Sequence, residues 1–252
     1  YLETKARSPS MSSAAVFDQV AFADVKVIAL SRHGGLSKSP YSSLNLADYV
    51  GDEPDAVRGN LTQVKQLAGA SGISVMAATH GNKVNVVTSA GTAPSGDGLV
   101  TKETNLGLLA LAADCVGFAL ADSISGVIAV GHAGWRGVLS NVMQEVVQAF
   151  VLTGGKLTQT RAVIGPAICA SCYEVPSERV AQFLQKCPAA VSDETHLDLR
   201  AGVHSSLAQH INIAQISELP GCTQENEKLF SYRKANSQPT GRGGLLIVRS
   251  GS

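Results

Sequence analysis

Uninterrupted apolar segments alternate with short turns through the middle of the chain. Residues 107–112 and 116–121 are almost entirely apolar, and the break between them contains Asp114 and Cys115. A third apolar segment covers residues 126–130. Short apolar runs bounded by turn residues predict strands that are buried on both faces. We therefore expect three buried strands, with two polar side chains set between the first two of them.

Weaker patterns predict the remaining elements. Apolar residues that recur every three or four positions predict helices, and short β-branched runs predict strands. The predicted helices cover residues 54–69, 136–151, 176–186 and 199–213, and the predicted strands cover residues 25–30, 75–78, 84–87, 161–164 and 245–249. No stretch resembles a linker between two cores, which predicts a single domain over residues 16–252.

The first residues of the chain differ from the rest. Residues 1–15 are polar, rich in serine and without periodicity. This composition predicts a disordered N-terminal segment, or a cloning remnant that precedes a natural start at Met11.

Composition and charge exclude several classes of protein. The chain has 252 residues, 44% of them hydrophobic and 16% charged, as in compact globular proteins. Twenty basic residues balance twenty acidic ones, so no basic field attracts nucleic acid. The apolar runs are too short to span a membrane, and the N-terminus lacks the core of a signal peptide. We therefore expect a soluble cytoplasmic protein without nucleic-acid or membrane partners, and the sequence leaves its oligomeric state open.

The five cysteines do not form a regular framework. Their odd number, in a chain of this length, favours free thiols over disulfides. Cys169 and Cys172 form a CxxC pattern, which indicates zinc or redox chemistry when it is paired with a second CxxC or begins a helix. Neither context is present, so we interpret them as two cysteines in a turn.

Three residues at predicted strand ends are candidates for metal binding or catalysis. His80 and His132 lie beside glycines at the ends of strands, and Cys115 follows a buried charge in the apolar centre. A Cys/His₂ set leaves the fourth position of zinc open, which is typical of catalytic sites. A Cys–His nucleophile pair and a blue-copper ligand set remain alternatives. Asp97 either completes a tight turn or orients one of the histidines.

Two features suit an anion such as phosphate. Arg32 precedes a turn formed by Gly34 and Gly35, which exposes backbone N–H groups beside a guanidinium. Arg136 lies near the beginning of a predicted helix, where anions are also favoured. A plain turn with a surface arginine remains the alternative for the first feature.

Other basic and histidine residues carry weaker signals. Residues 230–234 and 240–242 place basic side chains next to aromatic ones, which would suit an anionic or flat ligand, although surface loops explain such residues more often. His196, His204 and His210 lack neighbouring glycines or acids that would suggest metal binding, so we assign them to the surface or the core.

Ordered motifs along the chain resemble those of one bacterial family. The motifs are SRHGG, SPYSSLNLADYVGD, THGNKV, SGDGLVT, AADCV, GHAGWRG, IGPAICASCYEV and FSYRKANSQPTGR. Together they resemble the YfiH family over residues 25–248. This family is also called the multicopper polyphenol oxidase or laccase family and the peptidoglycan editing factor family.

The resemblance implies a fold, a metal site and an activity. It implies an α/β (α+β) single-domain, layered α-β-β-α sandwich with mixed sheets. It also implies a zinc site whose ligands fall on His80, Cys115 and His132. The implied activity is purine nucleoside phosphorolysis of adenosine, inosine and methylthioadenosine, with adenosine deamination at the same site. Family members usually carry Gln and Val where this chain has Ala78 and Thr79, a difference that bears on substrate preference.

Two alternative functions follow from the same resemblance. A multicopper oxidase needs several coppers with nitrogen-rich ligands, and six histidines do not readily supply such a set. Copper that replaces zinc at a Cys/His₂ site explains weak oxidation. A hydrolase that edits peptidoglycan precursors would use a zinc-activated water or Cys115 against an amide. For phosphorolysis we expect Arg32 and its glycine turn to hold phosphate, and Asp97 or Asp114 to orient a ligand or move a proton.

Overall fold

Two six-stranded sheets form the centre of the protein. The structure, a computed structural model, describes residues 11–251. The strands are β1 (Val16–Phe22), β2 (Val25–Leu30), β3 (Gly72–Ala77), β4 (Val84–Val86), β5 (Gly91–Ser95), β6 (Gly98–Thr101), β7 (Leu106–Ala112), β8 (Val116–Asp122), β9 (Val127–Ala133), β10 (Arg161–Ile164), β11 (Ile216–Glu218) and β12 (Gly243–Arg249). The first sheet has the order β1-β2-β12-β7-β3-β5, and the second has the order β11-β10-β8-β9-β6-β4. Both sheets contain parallel and antiparallel pairs, so both are mixed.

The helices are short and lie outside the sheets. Within the described residues they are α1 (Met11–Ala14), α2 (Pro54–Ala68), α3 (Trp135–Leu139), α4 (Val142–Leu152), α5 (Ser177–Lys186), α6 (Leu199–Leu207) and α7 (Tyr232–Ala235). Among these helices none has both the length and the apolar character needed to cross a membrane.

The three apolar segments at the centre of the sequence form buried strands, as predicted. Every residue of β8 and β9 is buried, and β7 is buried except at its last residue. β7 belongs to the first sheet, whereas β8 and β9 are neighbours in the second. The turn that contains Asp114 and Cys115 therefore carries the chain from one sheet to the other.

Apolar side chains hold four layers together. Between the sheets, Leu108 and Leu245 of the first sheet pack in one cluster with Ala119 and Val130 of the second. The outer face of the first sheet packs against α2, and the outer face of the second packs against α4, α5 and α6. The layered α-β-β-α sandwich with mixed sheets is confirmed.

Two predicted helices differ in extent from those observed. The segment predicted as one helix over residues 136–151 is divided into α3 and α4, because Asn141 adopts a left-handed conformation with φ 54° and its side chain accepts a hydrogen bond from the backbone N–H of Gln144. The helix predicted over residues 199–213 ends at Leu207. Asn212 then begins a separate turn, in which its side chain accepts from the N–H of Ala214.

The predicted N-terminal segment, residues 1–15, lies partly outside the described residues. Residues 1–10 are not among them, whereas Met11–Ala14 form a helical turn. Ala15 is buried, and its carbonyl accepts a hydrogen bond from the N–H of Ser31 at 2.8 Å. The ordered part of the chain therefore begins before residue 16. The half-buried strand β1 follows directly, and the sequence patterns did not predict it.

Candidate functional site

Three potential metal ligands converge near the turn where the chain passes from the first sheet to the second. His80 follows β3 in the first sheet, Cys115 lies in the turn between β7 and β8, and His132 lies on β9. Because Gly117 of β8 pairs with His132 of β9, the turn that carries Cys115 lies beside the end of β9. One ligand atom from each of the three side chains lies within 4.8 Å of the other two. The structure thus brings together the three residues that the sequence placed at strand ends.

A buried carboxylate holds this group in place. Asp97 is fully buried and accepts hydrogen bonds from the backbone N–H groups of Thr79, His80 and Gly81, at 3.1, 2.9 and 2.8 Å, and from the hydroxyl of Thr79. Its Oδ1 also lies 3.0 Å from Nδ1 of His132. Since Nδ1 of His132 is engaged in this way, Nε2 is the nitrogen left to bind a metal or a proton. Asp97 therefore has the orienting geometry expected of it.

The site favours a thiolate. Burial alone would raise the pKa of Cys115, but His132 and His80 lower it to about 6. Burial alone would lower the pKa of His132, but Cys115 and Asp97 raise it to about 9. Burial likewise opposes ionisation of Asp97, yet hydrogen bonds from His132, Gly81 and Thr79 hold its pKa well below the ordinary value. A thiolate is both a metal ligand and a nucleophile, so either chemistry is available.

A glycine gives the three side chains room to approach one another. A Cβ atom on Gly134 would lie 2.9 Å from Cδ2 of His80 and 3.0 Å from Sγ of Cys115. The rings of His80 and His132 meet edge to face, with centroids 5.0 Å apart. Two imidazoles and one thiolate at this spacing fit a four-coordinate zinc ion with one open position. The residues present therefore fit the metal that the sequence motifs implied.

The three ligands line an open cavity of about 290 Å³. This volume is at the lower end of the range for small-molecule sites. Arg242 and two exposed tyrosines, Tyr49 and Tyr232, line the same cavity, and Nη1 of Arg242 donates hydrogen bonds to the carbonyls of Thr240 and Gly241. Arg242 stacks on the ring of Tyr232, with its Cζ 5.7 Å from the ring centroid. Arg242 belongs to residues 240–242, whose sequence suits an anionic or flat ligand but is explained more often by a surface loop.

The structure places Arg32 outside the residues that line this cavity. Its Nε donates a hydrogen bond to the carbonyl of Ser42 at 3.0 Å, and its guanidinium stacks on Phe230 at 4.8 Å. Arg32 is half-buried and therefore joins two loops of the protein instead of facing the metal ligands.

The glycine turn next to Arg32 also has a structural environment. Gly34 has φ 87°, which favours glycine, and a Cβ on Gly35 would lie 2.3 Å from the carbonyl oxygen of Ser43. The N–H of Gly35 donates to Oγ of Ser43, and the N–H of Leu36 donates to Oδ1 of the buried Asn60. The N–H groups of Gly35 and Leu36 thus have partners within the protein and are not free to bind an anion.

Arg136 and Asp114 also lie apart from the ligand atoms. Arg136 is exposed and stacks on the ring of Trp135 at 4.5 Å. The carboxylate of Asp114 accepts hydrogen bonds from the hydroxyl of Thr223 at 2.6 Å and from the N–H of Arg233 at 2.7 Å. Asp114 therefore anchors two C-terminal segments beside Cys115, and no contact of its carboxylate with a metal ligand is observed among the described residues.

The remaining histidines do not join the candidate site. His196 lies 3.1 Å from Oδ1 of Asp193, and it is half-buried, as are His204 and His210. In residues 11–251, the only histidines found in a group of potential metal ligands are His80 and His132.

The amino-acid sequence matches a known family over most of its length. The profile of the family described as "Multi-copper polyphenol oxidoreductase laccase" matches residues 26–250. A purine nucleoside phosphorylase of Streptomyces coelicolor is 38% identical over 220 residues, which cover 84% of this chain and 90% of the relative. A purine nucleoside phosphorylase of Corynebacterium glutamicum is 36% identical over 228 residues, which cover 86% of this chain and 92% of the relative.

The fold also matches a solved structure. The crystal structure of the Bacillus licheniformis hypothetical protein YfiH superimposes with a TM-score of 0.81 at 26% sequence identity. The match covers 90% of this chain and 93% of the other. Sequence and fold therefore agree over the whole layered domain.

Proposed function

The chain belongs to the YfiH family, described as multi-copper polyphenol oxidoreductase laccase, and we propose that it is a zinc-dependent purine nucleoside phosphorylase. The observation that carries the proposal is the convergence of His80, Cys115 and His132 on a cavity that Arg242 also lines. The two relatives named purine nucleoside phosphorylase support the reaction type.

The donor set, with its open position, matches a catalytic zinc site. A thiolate with two imidazoles leaves one position open, as in catalytic zinc sites. A blue-copper site would add a weak axial ligand, usually methionine, and the ten residues that line the cavity include none. A bound zinc ion supplies a Lewis acid at this position. We expect copper to enter the site by substitution, because it outcompetes zinc for nitrogen and sulfur ligands.

The cavity offers a place for each part of the reaction. We assign the phosphate to Arg242, in place of the Arg32 turn and Arg136, since it is the arginine among the residues that line the cavity. The exposed rings of Tyr49 and Tyr232 offer flat faces for a purine. A phosphate oxygen attacks the anomeric carbon, the bond from that carbon to the purine nitrogen breaks, and the base leaves with the electron pair and takes up a proton. Positioning and charge stabilisation are the main tasks of the protein in such a step.

The same pocket accommodates the further activities that we assign to it. Adenosine, inosine and methylthioadenosine share the purine and the ribosyl bond, so one base-binding wall serves all three. In the deamination of adenosine, water in place of phosphate attacks C6 of the purine, the bond from C6 to the amino group breaks, and the amino group takes up a proton and leaves as ammonia. Asp97 serves both reactions by holding His132 and the backbone of His80.

Product analysis distinguishes phosphorolysis from its competitors. We expect inosine and phosphate to give hypoxanthine and ribose 1-phosphate at equal rates in air and under argon, with the sugar phosphate observed by ³¹P NMR. Product formed equally well without phosphate would point to a nucleoside hydrolase. Oxygen-dependent oxidation of phenols that persists after copper removal, without purine products, would point to an oxidase.

One observation keeps a hydrolase as the second candidate. The thiol of Cys115 and the ring of His132 lie in one group of ligand atoms, where the pKa of Cys115 is lowered by His132 and the pKa of His132 is raised by Cys115. Such a pair attacks amides in other enzymes, so editing of peptidoglycan precursors remains consistent with the site. Incubation with muropeptides under the conditions of the nucleoside assay separates the two functions.

Replacement of Arg242 is expected to weaken phosphate binding selectively. Charge-assisted hydrogen bonds contribute about 1.5–3 kcal/mol, so Arg242→Ala should raise the KM for phosphate about 10- to 100-fold while the KM for inosine changes little. Deamination needs no phosphate and should largely survive. The backbone of Arg242 is held by Leu46 and Asn45 independently of its side chain, so the fold should be retained.

Two other arginines serve as controls for this measurement. Arg136→Ala removes an exposed guanidinium and should leave both activities unchanged. Arg32→Ala removes a loop contact to Ser42 and should leave the KM for phosphate unchanged. If the KM for phosphate rises in Arg32→Ala and not in Arg242→Ala, phosphate binds at the glycine turn beside Arg32. Equal loss of phosphorolysis and deamination in Arg242→Ala would show that this residue does not act on phosphate.

A further inference from the structure

Three cysteines and a glutamate from two distant segments meet in a second group. Cys169 and Cys172 bracket a short turn, while Cys222 and Glu225 lie about fifty residues further along the chain. One ligand atom from each of the four lies within 4.8 Å of the others. The N–H of Cys169 lies 3.4 Å from Sγ of Cys222, and Sγ of Cys172 lies 3.5 Å from Oε1 of Glu225. We propose that these four residues form a second metal site, which binds zinc and has a structural role.

The donor chemistry of this group matches a closed zinc site. The CxxC spacing of Cys169 and Cys172 is the usual one for two thiolates on one zinc ion. Sulfur atoms at the corners of a zinc tetrahedron lie about 3.8 Å apart, so the observed spacing requires only small side-chain movements. Three thiolates and one carboxylate complete four coordination, whereas the Cys/His₂ group leaves one position open. The two groups therefore suit two different roles.

The position of the second group indicates what its metal would stabilise. Cys222 forms a parallel bridge with Ala167, and the adjacent Thr223 donates to the carboxylate of Asp114, the residue before Cys115. A metal ion bound by Cys169 and Cys222 would join these two segments through coordinate bonds, in addition to their hydrogen bonds. The site therefore acts as a crosslink behind the turn that carries Cys115.

The crosslink would extend to the wall of the cavity. The guanidinium of Arg233 donates to the carbonyls of Cys172 and Glu174, at 3.5 and 3.0 Å, and lies 5.2 Å from the ring centroid of Tyr173. Arg233 lies in α7, and the residue before it, Tyr232, lines the cavity. A metal at the second site would thus fix the position of Tyr232 without touching the substrate.

Metal analysis of the whole chain tests the proposal without measuring activity. Protein purified with zinc should contain about two zinc ions per chain, and Cys115→Ala should retain about one. The Cys115→Ala variant has no thiolate left in the group formed by His80, Cys115 and His132. Cobalt added to this variant should nevertheless show the strong thiolate-to-cobalt absorption of several cysteine ligands, because the second group supplies them. Zinc should also raise the melting temperature of this variant. These measurements leave the second group intact, so they do not depend on how well its variants fold.

Substitutions within the group then locate the metal. Cys172→Ser and Cys222→Ser should each reduce zinc content to about one ion per chain, whereas Cys187→Ser, which changes a cysteine outside both groups, should keep about two. One zinc ion in the wild type and none in Cys115→Ala would overturn the proposal. A mass spectrum that shows a disulfide among Cys169, Cys172 and Cys222 in the purified protein would also overturn it.

Discussion

Replacing Cys115 with alanine is expected to abolish phosphorolysis, with a fall in kcat/KM of at least about 1,000-fold. Cys115 supplies the only thiolate of the three-ligand group, and a catalytic metal contributes several kcal/mol of transition-state stabilisation. The variant should lose about one zinc ion per chain, measured by elemental analysis of the same preparation as the kinetics. The cavity is open and Cys115 is only half-buried, so the melting temperature in metal-free buffer should change little.

Two further variants test whether Cys115 acts as a metal ligand or as a nucleophile. Cys115→Ser retains a side chain of similar size but is a poorer zinc ligand, so it should resemble Cys115→Ala. Cys187→Ala removes a cysteine that belongs to neither group of potential metal ligands, so this variant should retain full activity. If Cys115→Ala keeps its full zinc content but loses all activity, Cys115 is a nucleophile and the hydrolase becomes the better interpretation. Full zinc and full activity together would exclude the site.

Local patterns were sufficient to predict the buried strands and to single out three residues at strand ends as candidate metal ligands. The residues of β8 and β9 are apolar on both faces, and their pairing places Gly117 opposite His132. Residues at the ends of neighbouring strands meet at one edge, so Cys115 and His132 could be expected together from the sequence. Nothing local shows that β7 and β8 belong to different sheets, because both have the same apolar pattern.

Contacts between distant segments account for what the sequence did not predict. The CxxC motif lies in a turn, as predicted, but its neighbours Cys222 and Glu225 belong to a segment that only the folded chain brings near. Arg32 lies in a glycine turn that resembles an anion site, yet its neighbours already supply partners for that turn. The sequence pattern of residues 240–242 suits either an anionic ligand or a surface loop, and only the fold places Arg242 in the cavity.

Replacing Asp97 with asparagine is expected to damage both the metal site and the fold. Asp97 accepts hydrogen bonds from three backbone N–H groups and from His132, and an amide nitrogen at its position would face donors instead of accepting from them. Loss of a carboxylate that orients a ligating histidine lowers metal affinity about 10- to 100-fold. The free energy of unfolding should fall by about 3–5 kcal/mol, because buried donors lose their charged partner. Zinc titration and urea denaturation of the same protein measure the two effects.

Two controls show whether these effects come from the buried carboxylate. Asp193→Asn changes a second aspartate that contacts a histidine, but Asp193 is exposed and belongs to neither group of ligand atoms, so stability and zinc content should remain close to those of the wild type. His80→Ala removes a metal ligand while the backbone N–H of residue 80 can still donate to Asp97, so zinc should be lost with little change in unfolding in metal-free buffer. If Asp97→Asn binds zinc normally and unfolds at the same urea concentration as the wild type, Asp97 does not position His132. A destabilisation that is equal in His80→Ala and Asp97→Asn with zinc present, and absent from both in metal-free buffer, would instead assign the stability to the metal and not to the carboxylate.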